Sequence, residues 1–149
     1  MARSARHPRD HSRCDAGMTP DQRHEWGRRG EELAAAHLER HGWRIVERNF
    51  RTREGEIDLI VARGGTLAFC EVKTLVARRA PPASGPADPL ECVGPAKRNR
   101  VRRMARAWLA ERARGESPGR HGSPRLDVIG VLLSPDGTLL RLDHLESAF

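Results

Sequence analysis

Cysteine, aromatic side chains and long apolar runs are all scarce in this chain, and each shortage removes a class of function. The three cysteines, Cys14, Cys70 and Cys92, are an odd, widely spaced set without a CxxC pair. Neither a disulfide framework nor a zinc site is indicated, and a reducing compartment suits the thiols. With three Trp, three Phe and no Tyr, a platform for stacking single-stranded bases is poorly supported. Trp26, Trp43 and Trp108 read as core instead. No apolar run approaches the ~20 residues of a membrane span, and the N-terminus lacks the apolar region of a secretory signal. The expectation is a soluble, cytoplasmic protein with no membrane partner. Twenty Asp and Glu against 27 Lys and Arg leave a net charge of +7, which favours polyanionic partners.

That positive excess is concentrated. Between residues 95 and 114, eight basic residues (Lys97, Arg98, Arg100, Arg102, Arg103, Arg106, Arg112 and Arg114) stand against Glu111 alone. The same segment spaces Val101, Met104, Ala105, Trp108 and Leu109 as one face of a helix, with Pro95 near its start and Gly115 after its end. Its apolar stripe should pack on a sheet while its basic flank faces outward. A solvated arginine face is one reading of that flank. A surface tracking phosphates is the other, since acidic i, i+4 partners are nearly absent.

Two segments, Gly55-Glu56-Ile57-Asp58-Leu59-Ile60 and Phe69-Cys70-Glu71-Val72-Lys73, alternate with period two around a Gly64-Gly65 pair. They read as a β-hairpin. A turn centred on the glycines opposes residues whose numbers sum to 129, so Asp58 faces Glu71, Glu56 faces Lys73 and Ile60 faces Phe69. The other face, Ile57, Leu59 and Val61 against Ala68, Cys70 and Val72, is apolar and should meet the core. Opposed side chains on neighbouring strands have Cβ atoms about 4.5–5.5 Å apart. At that range two carboxylates can share a hard divalent cation such as Mg²⁺, which polarises a phosphoryl oxygen and acidifies a bound water. Lys73 would then position the water or stabilise charge on the phosphate. An exposed salt bridge among Asp58, Glu71 and Lys73 fits the same spacing and contributes little; spacing alone leaves both open.

The rest of the chain supplies a frame for one domain. Thr19, Pro20, Asp21 and Gln22 form a capping box opening a helix that runs to His41, with Gly42 as its stop. Leu33, Ala34 and Leu38 should face the core, Gly27 and Gly30 permit close approach to a neighbour, and Glu31 falls near the edge of the apolar stripe. His37 and His41, four apart, read as exposed; the Glu lies at the wrong offset for a zinc protease. Residues 1–18 are Arg- and His-rich and read as a disordered basic tail, with Met18 a candidate start and a nucleic-acid-binding arm the alternative. The tail's four arginines and two aspartates leave the remainder at +5 without residues 1–17. Residues 43–49 read as a strand, 80–94 as a mobile loop, 115–124 as another loop, 125–133 as a strand and 138–142 as a last strand after a turn at 134–137. The order α-β-β-β-α-β-β predicts an α/β domain over 19–149, a central mixed sheet flanked by helices.

Gly27-x-x-Gly30-Glu31-x-x-Ala34, Asn49-x-Arg51, Gly55-Glu56-Ile57-Asp58-Leu59-Ile60, Glu71-Val72-Lys73, Lys97, Arg125-Leu126-Asp127-Val128 and Ala148-Phe149 occur in this order. The ordered set resembles the YraN family of bacterial proteins, from about Gly27 to Phe149. That family in turn resembles the restriction-endonuclease-like PD-(D/E)xK nucleases, close to archaeal Holliday-junction resolvases. The resemblance implies that Glu31 is the helical acid, Asp58 the central metal ligand, Glu71 the second ligand and Lys73 the catalytic lysine. It puts Lys97 at a family basic position that contacts the phosphate backbone. Glu56 also matches, and a salt bridge to Lys73 is the expected role. Leu75 departs from the pattern, which usually has a basic residue there, and the loop after it is lengthened, with Arg78 and Arg79 displaced.

The function expected is that of an endonuclease dependent on Mg²⁺ or Mn²⁺, acting on branched or junction DNA, because no base-reading helix or zinc finger is visible. Lys97, Arg98, Arg100, Arg102 and Arg103 are its expected nucleic-acid contacts. Cutting both strands of a junction would require two sites, hence a homodimer. The alternatives are a non-catalytic nucleic-acid-binding adaptor on the same fold, and an interaction protein whose acidic hairpin is only structural.

Overall fold

The computed structural model of the protein describes residues 18–78, 94–113 and 124–148. The expected tail at 1–17, the loops within 79–93 and 114–123, Arg79, Arg114 and Phe149 lie outside the described residues. The elements are α1 (Pro20–Arg40), β1 (Arg44–Thr52), β2 (Gly55–Arg63), β3 (Thr66–Val76), α2 (Pro95–Ala113), β4 (Arg125–Leu133) and β5 (Leu139–Leu145). Their order is the α-β-β-β-α-β-β expected, with β1 running past residue 49 and β5 past residue 142.

The five strands form one mixed sheet in the order β1-β2-β3-β4-β5. Neighbours are antiparallel except β3 and β4, which run parallel with α2 between them in the chain. The β2–β3 hairpin has the register set by its two turn glycines: Leu59 pairs with Cys70, Ile60 with Phe69 and Val61 with Ala68. Gly64 and Gly65 both adopt positive φ, 54° and 80°, which a tight hairpin of this kind demands.

Both faces of the sheet are covered. Ala34, Ala35 and Leu38 of α1 pack on Leu59, Val61, Cys70 and Ile129, whereas Val101, Met104 and Trp108 of α2 pack on Ile60, Leu67 and Phe69. Burial on both sides explains why β4 is buried from Leu126 to Leu133 without alternation. Ile57 corrects the single apolar face expected for the hairpin, since it packs under α2 with Phe50. Phe50 and Ile57 are paired across β1 and β2, next to Asn49, which has a positive φ of 49°.

The Thr19–Gln22 capping box forms as expected, with Thr19 Oγ1 accepting from the Gln22 N–H and Gln22 Oε1 from the Thr19 N–H. Trp43 and Trp108 are core and Trp26 is half-buried. Only one of the two helix glycines lets a neighbour close: a Cβ on Gly30 would fall 1.8 Å from Thr74 Oγ1, while Gly27 has open space. Gly30→Ala should therefore cost about 1–3 kcal/mol through overpacking, read as a lowered urea midpoint; an unchanged midpoint would contradict the packing.

Candidate active site

Asp58 and Glu71 sit where the hairpin opens. The β2–β3 pairing ends at Leu59 and Cys70, and one residue beyond it the Asp58 Oδ2 accepts the Val72 N–H at 2.6 Å. A side chain thus takes over from the backbone ladder and fixes the carboxylate across the gap. Asp58 is 6% exposed and Glu71 4%, which excludes the exposed salt bridge left open by spacing. Burial first, and then the Glu71 charge, push the Asp58 carboxyl up to about 7. An acid pair buried this way is destabilised unless one carboxyl is protonated or positive charge compensates it.

Two ammonium groups provide local charge. Lys97, in the first turn of α2, is ion-paired through Nζ to Glu71 Oε1. Lys73, one pleat beyond Glu71 on β3, is half-buried, and burial together with the adjacent Lys97 charge holds its amine below the usual value. Asp58, Glu71, Lys97 and Arg100 share a cavity of about 560 Å³. Lys73 also borders a separate cavity of about 200 Å³ beside Trp26 and Gly27, and its side chain meets that of Lys97 from α2.

Glu31 lines a third cavity, of about 430 Å³. Its Oε2 accepts from Asn49 Nδ2 at 2.9 Å, and its charge still reaches Asp58. Arg51 and Glu56 border both this cavity and the larger one and are paired to each other, Nε to Oε2, at 3.0 Å. The expected Glu56–Lys73 bridge is therefore corrected. Pairing of β1 with β2 continues through Arg51 and Glu56 to Thr52 and Gly55, whereas β3 has already parted from β2, so Glu56 stays with its β1 neighbour.

The outer face of α2 is basic, with Arg98, Arg100, Arg102 and Arg103 exposed. Some of its charge is matched from other elements: Arg103 Nε meets Glu54 Oε2 at 2.7 Å and Arg112 Nη2 meets Glu47 Oε2 at 3.5 Å. Arg102 Nη1 donates to Asn99 Oδ1 at 3.3 Å.

The donor set fits Mg²⁺ or Mn²⁺. Asp58 and Glu71 supply hard carboxylate oxygens under mutual repulsion, and ions of this class take one or two carboxylates and keep waters. Among the described residues no group of three or more His, Cys, Asp or Glu side chains is gathered to hold a metal, so the other positions would fall to water and phosphate. Of the expected quartet, Asp58 and Glu71 come together, Lys73 stands beside them, and Glu31 lies across the rim.

Residues 30–131 match the model of the uncharacterised protein family UPF0102. The chain belongs to the UPF0102 (YraN) family. A UPF0102 protein of Streptomyces griseus is 46% identical over 111 residues, covering 74% of this chain and 85% of that protein. Others, from Frankia alni at 43% and Geobacter sulfurreducens at 42%, each cover 83% of this chain, and 92% and 87% of their own length respectively.

The UPF0102 chain also carries a buried centre with no counterpart in the sequence reading beyond the Arg125–Val128 motif. Asp127 is fully buried and accepts from Arg125 Nε and Nη2, both at 2.9 Å, and from the Ser147 N–H at 3.0 Å. His144 Nε2 lies 2.7 Å from its Oδ2, and Arg125 spans on to Glu146 while stacking over Trp43. A lone acid inside an apolar strand is the one signal that could have flagged it. The expected reading of His37 and His41 as exposed holds for His41. His37 is half-buried, with its ring 4.2 Å from His41 and 6.1 Å from His144.

Proposed function

We propose that this UPF0102 protein is a cytoplasmic, Mg²⁺- or Mn²⁺-dependent endonuclease that hydrolyses phosphodiester bonds in DNA, with preference for branched or junction substrates. The observation that carries this reading is the buried, opposed pair Asp58 and Glu71, bordered by two lysines and opening under a basic helix. Nothing in core packing calls for two carboxylates there, and their repulsion is an energetic cost that a bound cation removes. Such an ion supplies polarisation of the phosphoryl oxygen and acidification of an attacking water.

Asp58, held by the Val72 amide, and Glu71 would orient the ion. The Lys73 amine, with its lowered proton affinity, would hold the attacking water and accept its proton at Nζ. Lys97 and Arg100 would steady the scissile phosphate, and Arg98, Arg102 and Arg103 the phosphates on either side. Glu31, braced by Asn49, would act from the rim as the helical acid. Cutting both strands of a junction would use two such sites, from two copies of the chain.

The Lys97–Glu71 pair, which neutralises one acid without an ion, favours a second reading, a nucleic-acid-binding adaptor. Cleavage of labelled linear, flapped and four-way-junction DNA with Mg²⁺ or Mn²⁺ separates the two. The nuclease cuts branched DNA in preference to linear duplex and loses activity in Lys73→Ala; the adaptor binds every substrate with steep salt dependence and cuts none.

A further inference from the structure

We propose that Lys97 is a built-in stand-in for the divalent cation: its ammonium holds Glu71 in the metal-free protein, is displaced when the ion binds, and is thereby released to a DNA phosphate. This rests on the reading of Asp58 and Glu71 as the metal ligands. Three observations carry it. The Lys97 Nζ is paired with Oε1 of Glu71, so the ammonium and an ion would contend for one carboxylate. The Glu71 side chain is 5% exposed while that of Lys97 is 32% exposed; the acid is fixed in the sheet, and the long lysine stem has solvent to swing into.

The third observation is the helix that carries the lysine. The α2 N-terminus has no acidic residue in its first turn, and its Lys97 and Arg98 amides both donate to the Gly94 carbonyl at 3.1 Å. Lys97 in this first turn opposes the helix dipole, and the acidic charges that face it are Glu71 and Asp58. Once an ion takes over those carboxylates, Lys97 is left without them, in the same cavity as Arg100. A DNA phosphate is the anion that restores the balance. Ion and nucleic acid would then reinforce each other's binding through one side chain, in either order.

Mn²⁺ affinity measured by calorimetry on the full chain at pH 8.5, without DNA, tests the exchange. Lys97→Met and the polar Lys97→Gln should each bind Mn²⁺ at least about tenfold more tightly than wild type, because a competing charge has gone. Both variants should melt lower than wild type without metal and recover with Mn²⁺. Equal or weaker Mn²⁺ affinity in both overturns the exchange and leaves the metal site standing. No Mn²⁺ binding by wild type, with Asp58→Asn indistinguishable from it, overturns the exchange together with the metal-site reading.

Discussion

Asp58→Asn should abolish DNA cleavage, by more than about a thousandfold, and yet make the metal-free protein more stable. The amide keeps an oxygen for the Val72 N–H, so the hydrogen bond that closes the hairpin survives. What it removes is a buried negative charge opposed to Glu71. The carboxyl of Asp58 is raised from 3.8 to about 7, so the native state prefers it protonated. Its contribution to stability is complete below the unfolded value near 4 and is lost as pH rises through about 7. Wild type and Asp58→Asn should therefore match at pH 4 and separate above neutrality, with the variant ahead by about 1–3 kcal/mol at pH 8.5. Chemical denaturation at the two pH values, in EDTA, measures this. A structural acid would give the reverse, with Asp58→Asn less stable at alkaline pH.

Asp127→Ala should be the most damaging substitution to the fold. Asp127 is fully buried and joins Arg125, His144 and the Ser147 amide, tying β4 to β5 and to the C-terminal turn. Burial alone would raise its carboxyl, but the bonds from His144, Arg125 and Ser147 outweigh this and hold it below the usual value. Its contribution is accordingly present above the unfolded value near 4 and lost as pH falls through the lowered native one. Alanine breaks the buried pair and leaves Arg125 with Glu146 alone, at a cost of about 3–5 kcal/mol, a large share of a domain's stability. Denaturant melts at pH 7 should show this loss, and it should shrink as pH falls toward 3. Asp127→Ala as stable as wild type would show that the centre contributes little.

Much of the fold was legible because independent signals agree on it. The hairpin register follows from Gly64-Gly65 and from the parity of the apolar residues, and it holds wherever β2 and β3 remain paired. Parity says nothing about where pairing stops. Parity alone therefore sets Glu56 opposite Lys73, although β3 has left β2 by that point and Arg51 of β1 is the neighbour that remains. Ile57 departs from the period-two expectation as well, joining Phe50 under α2.

The acids of the site were readable as residues, and less so as a geometry. Asp58 and Glu71 follow from register and from the family resemblance, and both are buried. The basic helix was visible in its composition, but counting acids at i, i+4 looks only along the helix. Glu54 and Glu47, which meet Arg103 and Arg112, come from outside α2. The sequence marks Lys97 as a phosphate contact alone, since nothing in the spacing shows a first-turn lysine reaching back to a strand carboxylate.

A time course of four-way-junction cleavage by wild type and Asp58→Asn, with Mn²⁺ and with EDTA, tests the account most directly. Cutting by wild type only with Mn²⁺, and by Asp58→Asn in neither condition, is the predicted result. Cutting that persists in Asp58→Asn or in EDTA would contradict the account, as would salt-sensitive binding of the junction with no cutting by either protein.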